Sequence, residues 1–301
     1  MKKVSLTAGG GELEPFGNIK YTSRRGLSPS TISFECGEKV EVGGRVEMSY
    51  GGKMIFVGRI FTVTEAPDKY TALAYDMMRY LENRDTIELT GRTASEVISI
   101  IALSYGFPIG KICGTEYRLG QKCCEMKTLS DIIEASLSLT EAMGGERYVL
   151  FDDCGSLSLL PEGSLIWGKT LSRGECASFE VTASIDEDFY DEVMLYIDED
   201  GGRQITLSSN EEAKAKYGLS RYTGKLSRAG AGYMTAGEIL GEYSFPKISV
   251  KCTVLGDGFL LRGGMSVPTL LEGKVKTLFC ERAEHIFSSG GITSKLELST
   301  V

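Results

Sequence analysis

The chain has 301 residues, of which 42% are hydrophobic and 25% charged; that balance supplies apolar residues for two or three cores and excludes a disordered or low-complexity polypeptide. A formal charge of −8 opposes a nucleic-acid-binding face, because phosphate neutralisation needs clustered lysine and arginine. Glycine at 37 residues against proline at 7 suits tight turns and bulges between short strands.

The first eight residues, Met1 to Ala8, lack the apolar core of a signal peptide, and no uninterrupted run of about 18 apolar residues occurs, so the expectation is a protein soluble in the cytoplasm unless it leaves with an assembly. Residues 1–70 read as β. Gly9-Gly10-Gly11 is a turn, Thr31 to Cys36 alternates, Val40 to Val42 and Val46 to Tyr50 flank Gly43-Gly44, and Gly51-Gly52 turns into Met54 to Ile60. Short strands at close spacing with glycine turns predict a small antiparallel barrel.

The pattern changes after Tyr70. Residues 74–81 predict a short helix with Tyr75, Met78 and Leu81 on one side. Thr93-Ala94-Ser95-Glu96 is a capping box opening a helix that stops at Gly106, and Thr128 to Asp131 repeats the logic for a helix ending at Gly144-Gly145. Strands at 147–151 and 156–160 follow, joined by Asp152-Asp153-Cys154-Gly155. Residues 71–165 are therefore expected to form an α/β insert.

From residue 166 a second β region is expected to run to the end, with helices inserted at about 209–243. Phe179 to Ala183 alternates, and Asp191 to Ile197 turns into Arg203 to Leu207 as a hairpin. A helix capped by Ser209 or Asn210 runs to Tyr217, and Thr235 to Tyr243 is another. Ile248, Val250, Cys252 and Val254 alternate with polar residues. A turn at Gly256-Asp257-Gly258 leads through Phe259, Leu261 and Arg262 to Gly263-Gly264. Strand signals resume at Met265 to Val267 and Lys274 to Phe279, His285-Ile286-Phe287 precedes the Gly290-Gly291 turn, and Ile292, Leu296 and Leu298 close the chain.

Candidate chemistry is sparse. The eight cysteines have no Cys-x-x-Cys and a single histidine, His285, to join them, so a zinc site lacks spacing and partners, and reduced, mostly buried thiols are expected. Glu187, Asp188, Asp191 and Glu192 could supply the acid pair of a glycosidase but read as solvated strand ends and turns. Asp198 to Gly201 lacks the alternating ligands of a calcium loop. The glycine-rich stretches Gly9-Gly10-Gly11 and Gly230-Ala231-Gly232 lack the Lys-Ser/Thr of a phosphate loop. His285 has no nucleophile motif to serve and reads as a strand histidine with a structural hydrogen bond. No catalytic residue, cofactor or metal is expected.

One ordered set of residues points further. Gly256-Asp257, Leu261-Arg262 and Gly263, then His285-x-Phe287, the Gly290-Gly291 pair and Leu296-Glu297-Leu298 together resemble the C-terminal module of the XkdQ-like baseplate hub proteins. These belong to contractile phage tails and phage-tail-like bacteriocins, and are related to the late-control D proteins and the hub part of type VI secretion spikes. Gly44-x-Val46 with Ile55-Phe56-x-Gly58-x-Ile60, Tyr75-Asp76-x-x-Arg79-Tyr80, and the spacing from Ser209 to Tyr217-Gly218 resemble the same family. The likeness is best over 247–298, fair over 40–81 and loose over 105–180.

The resemblance implies a mainly β, α+β chain of two small antiparallel barrels, with an α/β insert, acting as a structural hub and not as an enzyme. It implies that the two barrels are pseudo-equivalent, so that a homotrimer forms a ring of near-sixfold symmetry joining a hexameric tail tube to a trimeric spike. Partners would be further copies, the spike, the tube, and wedge or tape-measure proteins, first in the bacterial cytoplasm and then in the particle. Interface candidates are Phe56 and Arg59 in the first barrel and Phe259, Leu261, Arg262 and Phe287 in the second; Arg262 could form a bidentate carboxylate pair across subunits. The alternative is a cell-wall-binding tail protein associated with a peptidoglycan hydrolase, although aromatics are few and Trp167 is the sole tryptophan.

Overall fold

The computed structural model describes residues 4–120, 123–199, 202–226 and 235–300. Seven strands come first: β1 (Val4–Ala8), β2 (Gly11–Leu13), β3 (Ile19–Arg24), β4 (Thr31–Cys36), β5 (Arg45–Tyr50), β6 (Lys53–Ala66) and β7 (Lys69–Tyr75). The insert follows with β8 (Arg84–Glu88), α1 (Ala94–Tyr105), β9 (Ile109–Ile112), β10 (Cys123–Thr128), α2 (Leu129–Ala142), β11 (Tyr148–Asp152) and β12 (Leu157–Pro161). The last part holds β13 (Cys176–Ser184), β14 (Glu192–Glu199), β15 (Gly202–Ser209), α3 (Glu211–Tyr217), β16 (Arg221–Lys225), α4 (Ala236–Tyr243), β17 (Lys247–Leu255), β18 (Ser266–Leu271), β19 (Lys274–Ser288) and β20 (Gly291–Ser299). The chain is mainly β and of the α+β class. None of its described helices is long and apolar enough to cross a membrane.

Local chemistry sets most element ends. Thr93 accepts from the Glu96 N–H while the Glu96 carboxylate accepts from the Thr93 N–H at 2.9 Å, closing the capping box of α1. Gly106 ends that helix at φ +68°, in the left-handed region that glycine enters without cost. Thr128, Asn210 and Thr235 cap α2, α3 and α4 through their side chains. Residues 74–81 depart from the expected helix. Ala74 and Tyr75 finish β7, and a 3-10 turn occupies Met77–Glu82. Asp76 is extended, and its carboxylate accepts from the Ser30 N–H at 2.9 Å and the Met78 N–H at 3.0 Å, which stops the strand and starts the turn. Val40 and Val42 lie outside any strand, in the chain leading to β5.

The β regions do not pair as two separate units. Twelve strands form one sheet in the order β13-β17-β20-β19-β3-β4-β7-β6-β5-β1-β2, with β18 on β19. Among the described residues this ladder is an open path, and no ladder closes either half on itself. The nearest approach to closure is an isolated bridge, Pro15 to Cys36, with the Phe16 N–H donating to the Glu35 carbonyl at 2.7 Å.

Within the path the same arrangement occurs twice. The first half runs β3-β4-β7-β6-β5 and the second β13-β17-β20-β19-β18, every neighbour antiparallel. In both, the first and second strands pair, the second pairs the fifth, and a long fourth strand lies between the fifth and the third. The fourth strands, β6 and β19, each bulge against the fifth, between Ile60 and Thr62 and between Cys280 and Arg282. The halves join where β19 pairs with β3.

Two apolar cores follow from this. Leu6, Ile19, Phe34, Met48, Phe56 and Ile60 fill the first, Val250, Phe259, Leu261, Val267 and Leu278 the second. The β19–β20 hairpin serves both: Phe287 and Ile292 point into the first, while Cys280, Ala283, Leu296 and Leu298 point into the second. Helices α1 and α2 bury Val97, Ile98, Ile101, Leu129, Ile132 and Ile133 against β11, β12 and the 3-10 turn in a third core. A small sheet, β15-β14-β16, lies between β13 and β17 in sequence and packs on α4. The described cysteines are free thiols, with Cys36, Cys124, Cys252 and Cys280 buried. Gly230-Ala231-Gly232, Asp200-Gly201 and the side chain of Cys123 fall outside the described residues.

Candidate functional site

The residues from Leu261 to Gly264 meet all three larger bodies of the chain. The Leu261 carbonyl accepts from His285 Nε2 at 2.6 Å, and His285 Nδ1 lies 2.8 Å from the Ser294 hydroxyl. With Nε2 protonated, Nδ1 accepts from Ser294, and the ring is neutral. It stacks on Tyr21 at 5.9 Å between centroids, and burial lowers its pKa from 6.5 to about 4.

Arg262 turns the other way, into the insert. Its guanidinium lies 3.9 Å from the centroid of Phe151, and Nη2 donates to the Asp152 carbonyl at 3.0 Å. The Asp152 carboxylate accepts from the Gly155 and Met77 N–H groups at 2.6 and 3.2 Å. Burial, and then the neighbouring Asp152 charge, push Asp76 up to about 7. Gly263 passes against β3: its N–H donates to Ser23 Oγ at 3.0 Å, and a Cβ there would lie 2.0 Å from the Arg24 carbonyl carbon. Only glycine permits that approach.

Arg25 makes a second tie. It binds Glu162, at the end of the β11–β12 hairpin, and Glu281 of β19 at 2.5 and 2.7 Å, and covers the Phe279 ring at 4.8 Å. Arg25 also lines a cavity of about 640 Å³, together with Glu162, Glu281, Glu141 and Arg147. Glu162 and Glu281 share Arg25, while Glu141 shares Arg147 with Glu242. The paired acids are thus engaged by guanidinium groups, an arrangement that holds bodies together.

The residues singled out in the sequence scatter over this frame. Phe56 and Phe287 lie in the first core and Phe259 and Leu261 in the second, each at most 3% exposed, so these side chains are spent inside the chain. Arg59 is exposed and donates to the Gly43 carbonyl at 2.9 Å, closing the turn before β5. Arg262, a candidate for a carboxylate pair across subunits, meets Phe151 and a backbone carbonyl of its own chain. Asp191 and Glu192 are buried, not solvated. Asp191 accepts from the Ser220 N–H at 2.9 Å, and Glu192 binds Lys214 and Arg221, which hold its carboxyl below the usual range. Sequence reasoning missed Asp76 and Asp152 as junction residues; the signal was the polar Asp76 between strand and turn, and Asp152 facing Gly155.

The described residues leave several strand edges unpaired. The long path ends at β13 on one side and at β1 and β2 on the other. β13 is exposed along most of its length, and Val181 projects beyond the second core at 44% exposure. The small sheet adds two further edges, β15 and β16.

Comparison with known proteins places these features. The family model described as YQBQ-like matches residues 19–299. The phage-like element PBSX protein XkdQ of Bacillus subtilis (strain 168) is 29% identical over 215 residues, which cover 68% of this chain and 64% of that protein. The crystal structure of the 43 kDa tail protein of prophage MuSo2 from Shewanella oneidensis has the same fold, with a TM-score of 0.72 at 14% identity over 99% of this chain and 98% of that one. The E. coli c3393 protein, a component of the type VI secretion system described as structurally similar to T4 tail proteins gp27 and gp5, superposes with a TM-score of 0.60 at 11% identity, over 97% of this chain and 76% of that one.

Proposed function

The chain belongs to the YQBQ-like family, and on that premise we propose that it is a structural hub of a contractile tail or tail-like injection particle. In this reading three copies close a ring that joins a hexameric tail tube to a trimeric spike, and wedge or tape-measure proteins complete its partners. The observation that carries the reading is the repeated strand order: two halves of one chain, each with the same five-strand pairing, let three copies offer six similar units around an axis. The likeness to phage tail proteins and to a type VI secretion component supports it.

The halves act as two small barrels whose curvature is completed by contacts between copies, the first reaching past the expected boundary at residue 70 to Tyr75 so as to include β7, and the insert that follows decorates the ring. The path has two unlike free ends, β13 and the β1–β2 pair, so head-to-tail pairing consumes both ends of the path, the arrangement a closed ring requires. Of the named candidates only Arg59 is exposed, and it lies on β6, inside the path and away from both ends. The chain is made in the bacterial cytoplasm and then carried in the particle.

Light scattering of the purified chain, alone and with its spike, tests this. The mass of three copies, with threefold symmetry overall and near-sixfold symmetry on one face in electron micrographs, is the expected result. A single copy in the presence of both spike and tube overturns the reading, and retention on purified peptidoglycan above a control protein favours a cell-wall-binding role instead.

A further inference from the structure

The small sheet stands outside the repeated path, and its two faces differ. Toward α4 it buries Val193 and Leu195 with Ala236 and packs Ile239 and Leu240 beside them. The other face carries Met194 and Tyr196 of β14, with Leu207 and Ile205 of β15 directly opposite them. Ile205 and Leu207 are 58% and 55% exposed. β15 is also a strand edge: among the described residues it pairs with β14 alone. Over its 8 residues the ladder has no register shift, and the strand holds no proline and, past Arg203 near its start, no charge. Bulges, prolines and charges are the devices by which exposed edges avoid pairing. Such an edge invites an added strand whose backbone supplies the hydrogen bonds and whose alternate side chains meet the apolar pair.

Charge says what kind of strand. Asp198 is bound by both Arg203 and Lys225, and Glu192 by both Lys214 and Arg221. Among the described residues, and with Glu211 at 3.9 Å from Lys214 included, these pairs set four cations against three carboxylates in a chain whose net charge is −8. Arg203 lies over the Tyr196 ring at 4.3 Å, beside the apolar centre. A second copy pairing through its own β15 is the poorer fit, because β15 has no carboxylate between Gly202 and Ser209 and carries the same cationic surroundings.

We propose that β15 is a docking edge for an extended acidic segment of a different polypeptide, which adds as a fourth strand, lays alternate apolar side chains on Ile205 and Leu207, and sets a carboxylate beside Arg203. This surface is distinct from the β13 and β1–β2 edges and goes beyond the ring reading.

The test uses the full chain and two labelled eight-residue peptides, Ser-Val-Ser-Val-Ser-Glu-Ser-Glu and Ser-Val-Ser-Val-Ser-Lys-Ser-Lys, which put two valines and then two charges on one face of an added antiparallel strand, since Arg203, Ile205 and Leu207 share a face. By fluorescence anisotropy the glutamate peptide is expected to bind at least about tenfold more tightly, with added salt weakening it. Hydrogen exchange should slow at residues 202–209 when it binds. The double variant Ile205→Lys, Leu207→Lys, both exposed positions, should keep its melting temperature and lose binding about tenfold or more. Arg203→Glu should reverse the preference between the peptides. Equal binding of the two peptides, no saturable binding of the glutamate peptide up to about 1 mM, or undiminished binding by the double variant overturns the proposal. So does a concentration-dependent dimer that Ile205→Lys dissolves, since the occupant would then be a second copy.

Discussion

Gly263 and His285 show how single residues hold the two halves in register. At Gly263 a methyl group would have to occupy space 2.0 to 2.4 Å from backbone atoms of Arg24 and Arg25, and backbone in a central strand yields less readily than a side chain. Gly263→Ala is therefore expected to cost about 3 kcal/mol, at the upper end for overpacked sites, read as a lower urea midpoint. An unchanged midpoint would show that β3 can move aside. His285 makes a pH prediction whose sign is fixed by its depressed pKa. Its folded value of about 4 lies below the unfolded 6.5, so its contribution is complete above pH 6.5 and is lost as pH falls toward 4. Asp76, raised from 3.8 to about 7, works in reverse, its contribution declining as pH rises through the same interval. Comparing the wild type with His285→Gln cancels the Asp76 effect, which both share. The stability gap between the two should narrow by on the order of 2 kcal/mol between pH 7 and pH 5; a constant gap would mean that the histidine is not held neutral.

At the scale of elements, signals that act within a few residues were readable in the sequence. The Thr93–Glu96 box, the Thr128 and Thr235 caps, the Asn210 cap and the glycine hairpins describe bonds between near neighbours, and the structure contains them. Thr93→Ala removes such a bond and should cost about 1 kcal/mol, with faster amide exchange in the first turn of α1, while Thr93→Ser should restore it. The 3-10 turn at Met77–Glu82 was less legible, because the Asp76 bond that sets its start reaches Ser30, 46 residues away. Exposure of Phe56, Phe259, Leu261 and Phe287 was misjudged for a related reason: alternation tells which residues share a face, and only pairing tells which face is covered. The same limit applies to β13, whose alternation reads as an ordinary half-buried strand although its outer edge is free. Under the ring reading, Val181→Lys should leave the melting temperature of the isolated chain within about 2 °C, as exposed substitutions usually do, and abolish the three-copy assembly. Assembly undisturbed by a lysine there would remove β13 from the contact.

For the whole molecule, the repeated five-strand order explains an asymmetry that composition alone obscures. The first half connects its first two strands, β3 and β4, by a short loop, whereas the second interrupts the equivalent pair, β13 and β17, with the small sheet, α3 and α4. The interruption is local, because Ser184 and Lys247, at the two ends of that excursion, are directly paired across the ladder. The excursion has its own small core, with Val193, Leu195 and Ala236 as its buried residues. It touches the remainder through few strong ties, chiefly Arg147 to Glu242 and Tyr243, and Lys247 to Asp188. Chain length between paired strands adds little to the cost of closing them once the pair itself is stable. Replacing residues 185–246 with Asn-Gly, which favours the two-residue turn of an antiparallel hairpin, should therefore leave a folded chain with both large β cores intact. Its β19 and β20 amides should exchange as slowly as in the full chain, and it should still assemble in threes if the edges of the long path form the ring, while losing the β15 docking edge altogether. Collapse of slow exchange throughout β17, β19 and β20 would mean instead that the excursion is part of the second half's folding unit and that the two halves are equivalent in strand order alone.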